Sequence, residues 1–216
     1  MTNDLRIVYF GTPDFAVEGL RVLVENNYNI VGVVTAPDKP AGRGKKISES
    51  AIKKYATNKG LKVLQPTNLK SDEFINELKA LNANLQIVVA FRMLPEIVWN
   101  MPKLGTFNLH ASLLPQYRGA APINWAIING EAKTGVTTFF LQHEIDTGNI
   151  ILQKEVEITE TDNAETLHDK LMKLGGSVIL TTVKQIESGN INSTPQNNEA
   201  ELKPAPKIFK PDTEIN

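Results

Sequence analysis

Asn108 and His110 stand two residues apart in Phe107-Asn108-Leu109-His110, and a carboxylate, Asp146, follows in Ile145-Asp146-Thr147-Gly148. On an extended strand, residues two apart project to one face. An amide donor and an imidazole aimed at one point can stabilise an oxyanion and move a proton, the equipment for acyl or formyl transfer. Asp146 lies in a turn between two strand-like runs, and such a turn can bring its carboxylate back to the same point. Taken singly, each residue has an ordinary structural reading: a strand-end histidine, an amide satisfying loop backbone, an acidic turn residue.

The elements that must hold these residues can be read from hydropathy. Arg6-Ile7-Val8-Tyr9-Phe10 reads as a buried strand closed by Gly11-Thr12-Pro13, with Asp14 the cap of a following helix. Ile30 to Val34 reads as a second strand. Residues 36–47 hold two prolines and two glycines and are expected to be an irregular loop. Helices are expected over Ser48–Lys59 and from Ser71 to Leu81, with short strands at Leu61–Leu64, Leu85–Phe91 and Thr106–Leu109. Strands alternating with helices, and buried runs such as Gln86-Ile87-Val88-Val89-Ala90, imply a mostly parallel sheet covered on both faces, a Rossmann-like α/β fold. Ligands of such sheets bind beyond the carboxyl ends of the strands, where Asn108 and His110 fall. After a helix at Ile123–Ile128 the pattern changes. Val136–Leu141 and Asn149–Ile158 read as an antiparallel edge in the second half. A long helix is expected over Thr166–Glu187, weakened at Gly175-Gly176. The tail from Asn190 reads as extended chain or linker.

The 216 residues suffice for one substantial domain. No apolar run is long enough to span a membrane, and the N-terminus has no secretory pattern. There is no cysteine, and His110, His143 and His168 show no ligand spacing, so no metal site is expected. His143 and His168 read as surface or structural. A net charge of −1 conceals an uneven distribution: Lys39 to Lys62 carries eight basic residues and a single acid, Glu49. That points to a polyanionic partner on one face.

The ordered set Asn108-x-His110-x-Ser112-Leu113-Leu114-Pro115-x-x-Arg118-Gly119-Ala120-x-Pro122, followed by Asp146-Thr147-Gly148, resembles the signature of formyltransferases that use 10-formyltetrahydrofolate. The likeness extends from about residue 5 to the end, through Phe10 to Ala16, Pro37 to Lys46, Val89 to Pro95 and Pro204 to Ile208. It implies a catalytic domain over residues 1–203, with 204–216 as the start of an interdomain linker and a C-terminal β-barrel domain missing. It implies Asn108, His110 and Asp146 as catalytic residues, and folate contacts at Ser112, Leu113, Leu114, Pro115, Phe91, Arg92, Met93 and Leu94. The resemblance of the basic loop implies initiator methionyl-tRNA as partner, reached by Arg43, Lys45 and Lys46, with Phe15 walling the methionine side chain. A monomer in the cytoplasm is the implied setting. One departure is Gln116, where the family often carries a basic residue. Rival readings are folate-dependent transfer to glycinamide ribonucleotide, disfavoured because Gly11-Thr12-Pro13-Asp14 is not a phosphate-binding turn, transfer to a sugar nucleotide, and a non-catalytic folate- or RNA-binding domain.

Overall fold

A computed structural model of the chain describes residues 5–41, 46–197 and 201–213. The chain runs through β1 (Arg6–Gly11), α1 (Phe15–Glu25), β2 (Asn29–Val34), β3 (Lys39–Ala41), β4 (Lys46–Ser48), α2 (Ala51–Asn58), β5 (Val63–Leu64) and α3 (Asp72–Ala80). It continues through β6 (Leu85–Val89), α4 (Glu96–Trp99), β7 (Thr106–His110), α5 (Pro122–Ile128), β8 (Lys133–Phe140), β9 (Ile150–Glu157) and α6 (Ala164–Glu187). Seven strands form one sheet in the order β5-β2-β1-β6-β7-β8-β9. The first five are parallel, while β8 is antiparallel to both β7 and β9. The expected mostly parallel sheet with an antiparallel edge is therefore present. β1 is followed by β2 on one side, and β6 returns on its other side, so the strand order reverses between β1 and β6. That is where open α/β sheets bind ligands.

Alternation along the strands divides the core. Ile7 and Tyr9 of β1 pack with Leu20 of α1 and Ile179 of α6, while Val8 and Phe10 pack with Phe74 and Leu78 of α3 and Val98 of α4. Phe10, Val88 and Asn108 are register partners across β1, β6 and β7. Along this row the second face is apolar in β1 and β6 and turns polar at β7. Phe107 and Leu109 belong to the first core, which leaves Asn108 and His110 on the opposite face.

The Gly175-Gly176 pair does not interrupt α6, which is continuous for 24 residues. A Cβ at Gly175 would lie 2.6 Å from Leu109 Cδ2, and one at Gly176 2.8 Å from Glu18 Cγ. The pair lowers helix propensity yet admits β7 and α1 at close range, and tertiary packing outweighs that weakness.

Two expectations need correction. Residues 36–47 are not wholly irregular: β3 and β4 pair as an antiparallel ribbon, with Pro40 opposite Ile47. A two-stranded ribbon leaves half of each strand's N–H groups outside the ladder, so a proline is tolerated there. The strand β4 also takes the start expected for α2, whose cap is Ser50. The one-turn α4 after Pro95 was not foreseen, since four residues carry no helical period.

The tail lies against the body. Thr194 pairs with Ile150, and Ala205, fully buried, pairs with Gly119. The Tyr117 amide donates to the Lys203 carbonyl (2.7 Å), and the Ala120 amide to that of Ala205 (2.8 Å). Gln116 explains itself here: its amide donates to the Glu201 carbonyl (3.0 Å) and its oxygen accepts from the Lys203 amide (2.8 Å). A lysine or arginine could supply only the first of these bonds. No helix among the described residues is long and apolar enough to cross a membrane.

Candidate active site

The carboxyl ends of β1, β6 and β7 open into a cavity of about 740 Å³, a volume suited to a drug-sized ligand. Asn108, His110 and Asp146 all line it. Asn108 is half-buried, and among the described residues its amide is in none of the hydrogen bonds identified. An amide in the cavity lining can donate as well as accept.

His110 is buried and held by backbone. Its Nε2 lies 2.8 Å from the carbonyl oxygen of Tyr117. A carbonyl can only accept, so Nε2 carries the hydrogen and Nδ1 is left to exchange a proton. Nδ1 faces Asp146, with 3.9 Å to Oδ2. That separation suits a charge pair and is too long for a hydrogen bond. Asp146 therefore does not hold His110 by a hydrogen bond; the Tyr117 carbonyl does. The Asp146 carboxylate is itself held by the Gly119 amide, 3.0 Å from Oδ2.

Backbone strain gathers here. Five non-glycine residues among those described have positive φ: Asn27, Asn82, Ala90 (47°), Tyr117 (60°) and Asp146 (55°). The two asparagines follow α1 and α3, where a left-handed residue closes a helix at little cost. Ala90 and Asp146 line the cavity, and Tyr117 supplies the carbonyl that fixes His110. A left-handed alanine, tyrosine or aspartate is unfavourable by roughly 1 kcal/mol or more, and such strain persists where surrounding structure imposes it.

Phe91, Arg92, Met93 and Leu94, the segment after β6, line the cavity. Phe91 packs edge-on against Phe10, with centroids 5.6 Å apart. The Arg92 guanidinium donates to the carbonyls of Thr67 (3.0 Å) and Pro66, so it ties the segment to the chain after β5. Phe15 also lines the cavity, edge-on to His168 at 5.3 Å.

Ser112, Leu113, Leu114 and Pro115 do not line the cavity. Several of their polar groups bond within the fold. The Ser112 hydroxyl donates to the Gln116 carbonyl (2.6 Å), and the Thr137 hydroxyl donates to that of Ser112 (2.6 Å). The Leu114 amide reaches Thr137 Oγ1 (3.1 Å), and its carbonyl accepts from Gln153 (2.7 Å). The turn, with Ser112 and Leu114 buried, is a bracket that sets the path to Tyr117, and it supports the cavity without forming its wall.

Sequence reading missed other wall residues. Trp99, Asn124, His143 and His168 line the cavity; His168 lies on α6, 58 positions beyond His110 in the chain, and no spacing rule links them. Arg43 and Lys45 fall outside the described residues, while Lys46 lies on β4. The basic run is partly neutralised: Lys53 is paired with Asp38 and Glu49, and Lys62 with Glu77 at 3.8 Å.

A donor amide, a proton-exchanging imidazole and a carboxylate around one cavity at a switch point agree with what comparison with known proteins finds. A model of the formyl transferase family matches residues 5–183. The chain is 65% identical over 211 residues to a methionyl-tRNA formyltransferase of Bacteroides fragilis, covering 96% of this chain and 65% of that protein. It is 61% identical over 212 residues to one of Flavobacterium johnsoniae, covering 98% and 67%. The chain thus spans about two thirds of the length of the curated relatives it matches. Among solved structures, glycinamide ribonucleotide transformylase 1 from Symbiobacterium toebii shares the fold with a TM-score of 0.76 at 17% identity, covering 90% of this chain and 96% of that one. An N-formyltransferase from Helicobacter canadensis, in complex with folinic acid and dTDP-3-aminofucose, does so at 0.69 and 23%, covering 98% and 73%. With the family model matching residues 5–183 and relatives about 65% identical over nearly the whole chain, the chain belongs to the formyl transferase family.

Proposed function

We propose that this chain moves a formyl group from 10-formyltetrahydrofolate to the α-amine of methionine carried by initiator tRNA, as the formylating step before translation begins. The observation that carries the reading is the convergence of Asn108, His110 and Asp146 on one cavity, in a chain 65% identical to a protein named for that reaction. The cavity fits a folate in size, in its apolar wall at Phe91 to Leu94 and in the amide that Asn108 presents. When bound, the folate supplies an activated formyl group on nitrogen.

Asn108 donates to the formyl oxygen as negative charge develops there. His110 serves through Nδ1, because Nε2 is committed to Tyr117. Protonated on Nδ1, it donates to the same oxygen or delivers the proton to the leaving nitrogen. The Asp146 carboxylate, 3.9 Å from Nδ1, stabilises the charged ring and receives the proton shed by the attacking amine. Phe15 walls the methionine side chain, and Arg43, Lys45 and Lys46 meet the phosphates of the acceptor end. The protein works as a monomer in the cytoplasm, with residues 1–203 as the catalytic domain.

The deciding experiment is turnover of purified protein with 10-formyltetrahydrofolate and either methionyl-tRNA, glycinamide ribonucleotide or an amino-sugar nucleotide. Formylation of methionyl-tRNA well above the other acceptors is expected. A preference for either small acceptor, or turnover of none, would reject the reading.

A further inference from the structure

We propose that Gln196 is a positioning residue for Asp146, and that the returning tail is thereby a working part of the active site; the inference rests on the formyl-transfer reading above. Gln196 is 8% exposed and uses every hydrogen-bonding valence of its side chain. Its Nε2 donates to the carbonyl of Asp146 (2.8 Å) and to that of Gly148 (2.9 Å). Its Oε1 accepts from Arg118 Nε (3.1 Å) and Nη2 (2.6 Å). One amide therefore joins the β8–β9 loop, which carries Asp146, to the 117–121 loop, whose Gly119 amide binds the Asp146 carboxylate.

The tail holds that second loop as well. Gly119 has φ +127°, and a Cβ there would lie 2.4 Å from the Ala205 carbonyl oxygen, so the tail rests on its bare α-carbon. The Tyr117 amide is bonded to Lys203 (2.7 Å) while its carbonyl fixes His110. Asp146 itself has a left-handed backbone, a conformation that needs support from outside its own turn. Gln196 grips it at the carbonyl and Gly119 at the carboxylate. Together they set the 3.9 Å interval to His110 Nδ1. The amide is suited to this and a carboxylate is not: glutamate would keep the Arg118 contacts while facing two carbonyl oxygens with no hydrogen to give.

The test compares the full chain with Gln196→Leu and Gln196→Glu by hydrogen exchange and by formyl-transfer kinetics. Both variants should speed amide exchange at residues 142–149 without a general increase elsewhere. Both should lower kcat by about tenfold to a hundredfold, the scale expected of an ångström displacement, with KM for donor and acceptor within about threefold of the parent. If Gln196→Leu fails to fold, Gln196→Glu, which retains the Arg118 bonds, decides. Exchange at 142–149 equal to the parent's, or an unchanged kcat, overturns the proposal. If the unsubstituted chain transfers no formyl group, the functional reading fails by itself, and the exchange measurement alone judges whether Gln196 holds the loop.

Discussion

Asn108 and His110 occupy the same face of one strand, yet the fold treats them differently. Asn108 presents its amide to the cavity, whereas His110 also holds a buried backbone carbonyl. Their substitution should therefore separate two quantities. Asn108→Ala is expected to lower the single-turnover rate by about a hundredfold to a thousandfold, as loss of one oxyanion donor does, with the denaturation midpoint unchanged. His110→Ala should lower the rate at least as much and also destabilise the protein by about 1–3 kcal/mol, because the Tyr117 carbonyl loses its buried partner. Equal midpoints for the two variants in urea would show that the His110–Tyr117 bond contributes nothing to stability. The pairing of Asn108 with His110 is legible from a period of two. The role of Tyr117 is not, because a carbonyl is common to every residue and only the turn that follows Pro115 brings this one to Nε2.

The tail is the element whose importance was least visible in sequence. It is polar, proline-bearing and without period, all signs of linker. Its attachment comes from backbone pairing and from side chains spread over distant parts of the chain: Gln116, Arg118 and Glu131. Glu131 accepts from Lys203 (2.6 Å) and from the Tyr117 hydroxyl. These hydrogen bonds, Lys203's foremost, hold its carboxyl below the ordinary range. A folded-state value below the unfolded one makes this contribution complete above about pH 4.3 and lost as pH falls through the folded value. Acid should thus loosen the tail. Trp125, whose Nε1 donates to the Pro206 carbonyl (2.8 Å), reports on it. Its fluorescence is expected to shift as pH is lowered from 6 to 3, before global unfolding, and Glu131→Gln should lack that phase. An identical acid transition in both proteins would separate Glu131 from the tail's attachment.

For the molecule as a whole, charge and topology divide the work. The cavity lies at the switch point, while the basic run extends from β3 to the segment after α2, and Lys53 on α2 is already neutralised by Asp38 and Glu49. The proposed tRNA contact assigns the phosphates to Arg43, Lys45 and Lys46. Arg43→Ala and Lys45→Ala are each expected to raise KM for methionyl-tRNA and to flatten its dependence on log salt by about 0.7 for each phosphate no longer neutralised, leaving KM for the folate unchanged. An unaltered KM and salt slope would remove the loop from the tRNA interface. The strand runs of β1, β2 and β6, the cap at Asp14, and the Asn108–His110 face were all written locally, because period, burial and capping depend on neighbours along the chain. The motif beyond them named the family and Asp146. Residues 112–115 were part of that motif, and their place as a bracket depends on Thr137 and Gln153, which no local rule connects to them. The β3–β4 ribbon and α4 were too short to carry a period. Which atoms hold Asp146 and His110 was decided only when the sheet closed and the tail returned across it. The bonds that seat the tail join residues as far as 87 positions apart, Gln116 with Lys203, and their energies exist only in the assembled fold.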